Sequence, residues 1–194
     1  MWTQTHLLIG STIGQLITDQ SMNHLDFKAF RYGCIIPDFH PNYMTISHCK
    51  HESFNLVAAL IGQAVRCSPD YHPTSRDSVR LGIITHFISD YFCQAHNYCE
   101  FASLVSHLKY EGRLHEEFKK AGLTKLCGNM LGGSQIAELH SLEDLPKFIL
   151  KRHCEYLQER RNLQTDLVYC LNVATVVAMV VLEHSSTAAL QRCA

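Results

Sequence analysis

The run Thr85-His86-Phe87-Ile88-Ser89-Asp90-Tyr91-Phe92-Cys93-Gln94-Ala95-His96, followed by His107-Leu108-Lys109-Tyr110-Glu111, decides how this chain reads. His86 and Asp90 are four apart, as are His107 and Glu111, and on helices each such pair projects from one face. The first pair shares its face with Val79, Ile83 and Phe87, the second with Leu104, Leu108 and Phe118. Desolvating a carboxylate and an imidazole on an apolar face is costly unless something compensates, and a divalent metal does so most economically. One such pair is ordinarily a plain helix pair or a hydrogen-bonded core histidine. Two pairs with His96 between them, three imidazoles and two carboxylates within 26 residues, form a nitrogen-and-oxygen donor set that suits zinc.

Outward from that centre the periodicity predicts helices throughout. Residues 3–18 read as a first helix, with Leu7, Ile13, Leu16 and Ile17 at helical spacing. His6 there either joins a metal site or is a buried helix-start histidine, and Trp2 shares its face. A second apolar segment, 24–36, is stopped by Pro37, and Asp38 either shapes the turn or projects into a cavity as ligand or base. A third helix runs from Ser47, as cap, to Cys67, with His48 and His51 in its first turn, one a ligand and the other on the surface. Residues 68–75 form a connection that places His72 in an exposed loop. Helix four spans 76–94 and helix five 106–120, the latter closed by Gly122 behind Lys119 and Lys120. A glycine-rich loop lies in 122–134, and Ser141 with Asp144 resembles a capping box opening a helix to Arg161. The last helix, 165–185, holds sixteen uncharged residues. Asp166, Asn172, Thr175 and Glu183 mark it as a buried central helix, not a membrane span. Period-2 alternation is lacking, so the fold class is all-α, a single-domain bundle of about six to eight helices over residues 1–194.

Composition narrows the function. Seventeen basic against eighteen acidic residues leave a net charge of -1, which offers no field for capturing nucleic acid or an anionic membrane. Nine cysteines, an odd number without any C-x-x-C, suggest a reducing compartment with thiols serving as small core residues. The first basic residue is Lys28, so the start lacks a signal-peptide pattern and the chain reads as cytoplasmic. Glycine spacing fits neither a Walker nor a Rossmann pattern. His51-Glu52 and His115-Glu116 both lack the second histidine of a zinc protease motif, and no His-Asp dipeptide supports an HD phosphohydrolase.

These residues resemble the zinc-dependent phospholipase C family and, more distantly, the S1/P1 nucleases. The family pattern H-x-x-x-D with a histidine six residues on is met by His86, Asp90 and His96, and H-x-K-Y-E by His107 to Glu111. Gly33 through Pro37-Asp38 resembles its G-x-x-x-P-D element, and Ser47-His48 its S-H. The resemblance implies one metal on Asp38, His48, His86 and Asp90, and another on His96, His107 and Glu111. It also implies a third ion, bridged by Asp90, with His6 and the amine and carbonyl of an N-terminal tryptophan. Here Met1 precedes Trp2, a departure at the terminal-amine ligand. His51 and His115 are further, weaker ligand candidates. The cofactor implied is Zn2+, two or three ions, other divalent metals being compatible with the same donors.

The resulting expectation is a phospholipase C-like phosphoester hydrolase in which the zinc centre activates water and Asp38 orients it. Its partner would be a small phosphoester or phospholipid. The alternatives are an S1/P1-like nuclease, with Trp2, Tyr91, Phe92 and Tyr98 available to stack bases, and a non-catalytic protein whose zinc ties helices together. With no exposed apolar helix identified, packed vesicles are expected to be poor substrates.

Overall fold

The uncharged C-terminal run folds as a single long helix, Leu163–Leu190, and four of the other described helices pack against it. The structure, a computed structural model, describes residues 1–19, 25–64, 74–98, 101, 103–123, 139 and 141–190, with side chains to residue 183. Among these are seven α-helices and no strand: α1 (Thr3–Asp19), α2 (Phe27–Gly33), α3 (Lys50–Gly62), α4 (Ser75–Tyr91), α5 (Leu104–Lys120), α6 (Leu145–Gln158) and α7 (Leu163–Leu190). The all-α expectation therefore holds. Helix α7 is long and apolar enough to cross a membrane, but 83% of an apolar 18-residue window within Leu163–Glu183 is buried inside the protein. A helix apolar on every side needs neighbours on every side. Helices α1, α4, α5 and α6 supply them.

Helix α4 is the second organising element. Thr74 caps it in a reciprocal box, its amide donating to Asp77 Oδ2 at 2.9 Å and its hydroxyl accepting from the Asp77 amide at 3.4 Å. The start of α2 is tied to the start of α4, because Ser75 donates to Asp26 Oδ2 at 2.6 Å and Ser78 accepts from the Asp26 amide at 3.0 Å. Further along, Gly33 and Gly82 let the two backbones touch. A Cβ on Gly82 would lie 2.2 Å from the Phe30 carbonyl oxygen, and one on Gly33 2.2 Å from that of Val79. Only glycine at both positions permits that approach.

Several boundaries differ from the sequence reading. Helix α2 ends at Gly33, ahead of Pro37, which sits inside a 3-10 turn, Ile36–Asp38, where its missing amide is not needed. Cys49, not Ser47, precedes α3, and the helix ends at Gly62; the Ser47 hydroxyl accepts from the Cys49 amide at 3.2 Å. Helix α4 stops at Tyr91, and a separate 3-10 turn, Gln94–His96, carries His96. Ser103 caps α5, so that helix starts at Leu104, and Ala121 closes it in extended geometry, leaving Gly122 without a capping role. Ser141 donates to the Asp144 carboxylate at 2.9 Å but caps no backbone; α6 starts at Leu145 with a proline in its first turn and ends at Gln158. Residues 68–73 of the connection, with His72, and the glycine-rich loop after Leu123 lie outside the described residues.

Candidate metal centre

Helix α4 carries His86 and Asp90 into the interior, where both are fully buried. His86 Nδ1 lies 2.8 Å from the Cys34 carbonyl oxygen. A carbonyl only accepts, so Nδ1 carries the hydrogen and the Nε2 lone pair faces the centre. From there Nε2 is 3.3 Å from Asp90 Oδ2, 3.3 Å from His48 Nδ1 and 3.7 Å from Asp38 Oδ1. Asp38 arrives on the Ile36–Asp38 turn, its Oδ2 held at 2.6 Å by the Thr3 hydroxyl. His48 enters from the loop before α3, with Nδ1 2.8 Å from Asp90 Oδ2.

The two oxygens of Asp90 look in different directions. Oδ2 faces His48 and His86, whereas Oδ1 lies 3.3 Å from His6 Nε2 and 3.3 Å from His96 Nε2 and contacts the Met1 amine. Beyond it, Glu111 Oε1 is 2.9 Å from His107 Nε2, 3.2 Å from His96 Nε2 and 3.0 Å from the Met1 amine. Among the described residues, three groups bring ligand atoms within 4.8 Å of one another: His6, Asp38 and His86; His48, His86 and Asp90; and His96, His107 and Glu111. All eight principal candidates thus converge. His6 and Asp38 form one set with His86, and His86 is also in the set with His48 and Asp90, so Asp38 stands apart from the His48 and Asp90 set that the resemblance implied.

The donors fit divalent metal. Both ring nitrogens of His6 are buried without a hydrogen-bond partner, although the ring stacks on His86 at 3.7 Å. Such orphaned polar atoms, one a donor and one an acceptor in a neutral imidazole, are rare unless something is to occupy the site. Burial, reinforced by His86, pushes the His6 pKa down to about 4, leaving a neutral imidazole. Burial works against charge on Asp90 and Glu111 too, yet both are held well below the usual carboxylate range, Asp90 chiefly by the Met1 ammonium with His96, Glu111 by hydrogen bonds from His107 and His96. Neutral imidazoles and ionised carboxylates are the forms that bind metal, so His96, pushed up to about 10 by Asp90 against its burial and the Met1 ammonium, must release a proton when an ion binds. The Met1 amine, despite burial, is pushed up to about 12 by Asp90 and Glu111. The pocket therefore draws in positive charge.

Residues 5–163 match the sequence model of zinc dependent phospholipase C. The chain belongs to the zinc-dependent phospholipase C family. No curated protein and no solved structure matches it. The matched span of this phospholipase C family member contains every principal candidate from His6 to Glu111 and leaves Met1 and most of α7 outside.

The weaker candidates are not gathered. His51 is exposed and pairs with Glu52 at 3.1 Å, and His115 Nδ1 bonds Thr5 Oγ1 at 2.9 Å. The Trp2 carbonyl accepts from the amides of Thr5 and His6, while the indole lies over Gly112 of α5. It is the Met1 amine that enters the cluster, a backbone group without a sequence signature. Leu104 and Leu108, read as buried companions of His107, are instead 72% and 45% exposed, with Val105 at 77%. A cleft of about 470 Å³ opens between Leu108 and Asp38, lined by Met1, Trp2, Thr3, Gln4, Asp38, Leu108 and Glu111.

Proposed function

We propose that this protein is a metal-dependent phosphoester hydrolase of the phospholipase C type, holding two or three zinc ions on His6, Asp38, His48, His86, Asp90, His96, His107 and Glu111. The observation that carries the reading is the convergence of three His/carboxylate groups around Asp90, among them a buried His6 whose Nε2 faces Asp90 and whose Nδ1 has no hydrogen-bond partner. Bound there, zinc would supply Lewis acidity toward a water molecule and toward phosphoryl oxygens. The protein's own contribution is preorganisation. Cys34 fixes the His86 tautomer, and Thr3 ties down Asp38 Oδ2, leaving Oδ1 turned toward the centre at the floor of the cleft. Asp38 is the carboxylate placed to orient a water molecule and accept its proton.

The cleft wall supports an amphiphilic ester. Trp2 and Leu108 border it and remain partly exposed, so an apolar substituent beside the phosphate has a surface to lie on. The nuclease reading loses support, because Tyr91 and Phe92 are fully buried and the Arg161 guanidinium lies 3.6 Å from the Tyr98 ring centroid. Exposed Leu104 and Val105 supply one apolar contact toward packed lipid that the sequence reading does not identify.

The experiment compares release of phosphocholine from a short-chain phosphatidylcholine with cleavage of single-stranded DNA at two salt concentrations. Phosphocholine release that Asp38→Asn abolishes, while its metal content is retained, is the expected result. Salt-sensitive DNA cleavage without phosphocholine release would replace this reading with the nuclease one. Inactivity of the metal-loaded wild type on diesters and monoesters alike would leave only a structural centre.

A further inference from the structure

Asp166 lies in the central helix, outside the ligand set, yet the elements bearing three of the ligands are fastened to it. The residue is fully buried. Its Oδ2 accepts from the Gln94 backbone amide and from the Tyr110 hydroxyl, both at 2.9 Å. Its Oδ1 accepts from Gln94 Nε2 at 3.1 Å and from the Tyr156 hydroxyl at 2.9 Å. Gln94 opens the short turn that ends in His96, and Tyr110 immediately precedes Glu111, one turn after His107. Burial pushes the Asp166 pKa up to about 6, opposed by these four donors.

Four neutral donors on one buried carboxylate are a costly way to pack a helix, since an apolar side chain fills the same space without desolvating a charge. The cost makes sense where geometry must be held. Of the groups available, a carboxylate is the one that accepts four bonds and donates none. We propose that Asp166 is a positioning residue for the His96, His107 and Glu111 half of the metal centre, an inference resting on the metal reading above. It fixes the turn carrying His96 against the helix carrying His107 and Glu111, so that the three donors meet before an ion arrives. The Tyr156 bond provides an internal comparison, because it is chemically like the Tyr110 bond but leads to α6, which carries no ligand.

The test is zinc uptake by the full chain, resolved into equivalents by chelator competition, together with the cobalt absorption spectrum and thermal melting. The equivalent that His107→Ala removes marks this half of the centre. Tyr110→Phe is expected to weaken that equivalent about tenfold, and Asp166→Leu by about tenfold to a hundredfold, with the other equivalents unchanged within about twofold. Tyr156→Phe should lower the melting temperature as Tyr110→Phe does, yet leave every zinc affinity and the cobalt spectrum as in the wild type. Tyr110→Phe and Tyr156→Phe acting alike on zinc, or all equivalents weakening together in Asp166→Leu, would overturn the assignment. Should Asp166→Leu fail to fold, the comparison of the two tyrosine variants decides. A wild type that takes up no zinc overturns the metal reading and this inference with it; a wild type that binds zinc with Tyr110→Phe unchanged overturns this inference alone.

Discussion

His86 points its Nδ1 at the carbonyl oxygen of Cys34 across 2.8 Å, and this contact makes the ligand geometry depend on a helix crossing. Cys34 caps the C-terminus of α2, which reaches α4 through the Gly33 and Gly82 contact. Gly82 is one turn before His86 on the same helix. Packing between backbones thereby sets the direction in which the imidazole offers its lone pair.

Widening that crossing should therefore damage both the fold and the centre. Gly82→Ala puts a methyl group where the Phe30 carbonyl oxygen would be 2.2 Å away, and neither backbone can yield cheaply. A loss of about 3 kcal/mol is expected, read as the urea midpoint. Gly62→Ala meets nothing within 4 Å and should be neutral or stabilise by about 0.5 kcal/mol. Similar midpoints for the two variants would contradict the backbone-contact account.

Removal of central ligands should lower metal content and stability together. His86→Ala and Asp90→Asn each strip a buried donor from the cluster, and zinc affinity should fall by at least the roughly tenfold to hundredfold that losing a supporting bond costs. His51→Ala, at an exposed pair with Glu52, should shift melting little, since such pairs contribute about 0–1 kcal/mol. Equal effects at His51 and His86 would mean that histidines matter here for reasons unrelated to a centre.

Acid sensitivity has a contributor outside the centre. His153 is buried with Nε2 2.9 Å from Asn97 Oδ1, and Asn97 Nδ2 donates to the carbonyls of Tyr91 and Cys93, so the imidazole must donate through Nε2. Burial, with the Lys50 charge, pushes its pKa down to about 4 from an ordinary 6.5. Between those values the unfolded chain binds a proton that the folded chain refuses. Its contribution is thus full above pH 6.5 and lost as pH falls toward 4, about 3 kcal/mol in all. In metal-free protein, His153→Gln should flatten the urea midpoint over this range relative to the wild type. An unchanged pH slope would exclude His153 as a source.

The helical pairs His86/Asp90 and His107/Glu111 were legible because a four-residue spacing fixes a common face without any tertiary information. What a face meets is not encoded in its period. Leu104 and Leu108 fit the same pattern as a buried stripe but are exposed, and Leu108 lines the cleft. The Gly33 and Gly82 contact joins residues 49 apart, and the Met1 amine is a backbone group, so neither leaves a local signal. Asp166 was visible as an acid in an apolar helix, but its partners lie on α5, α6 and the His96 turn. Helix ends were misjudged at Pro37 and Gln94, where 3-10 turns replace the last α-helical turns and deliver Asp38 and His96.

The exposed rim gives a separate expectation about substrate. Leu104 and Val105 are exposed on the first turn of α5, the helix whose Leu108 lines the cleft. Leu104→Glu with Val105→Glu should reduce hydrolysis of phosphatidylcholine vesicles about tenfold or more, while a short-chain monomeric lipid is turned over as before. Parallel loss on both substrates would show that these side chains serve the site itself and not contact with a lipid surface.

Metal content tests the central claim most directly. Protein purified without chelators, or refolded and equilibrated with zinc and then desalted, is measured by inductively coupled plasma mass spectrometry against protein concentration. Two to three equivalents of zinc per chain are predicted, falling by at least about one equivalent in Asp90→Asn. Zinc and other divalent metals below about a tenth of an equivalent in both preparations would contradict the metal centre.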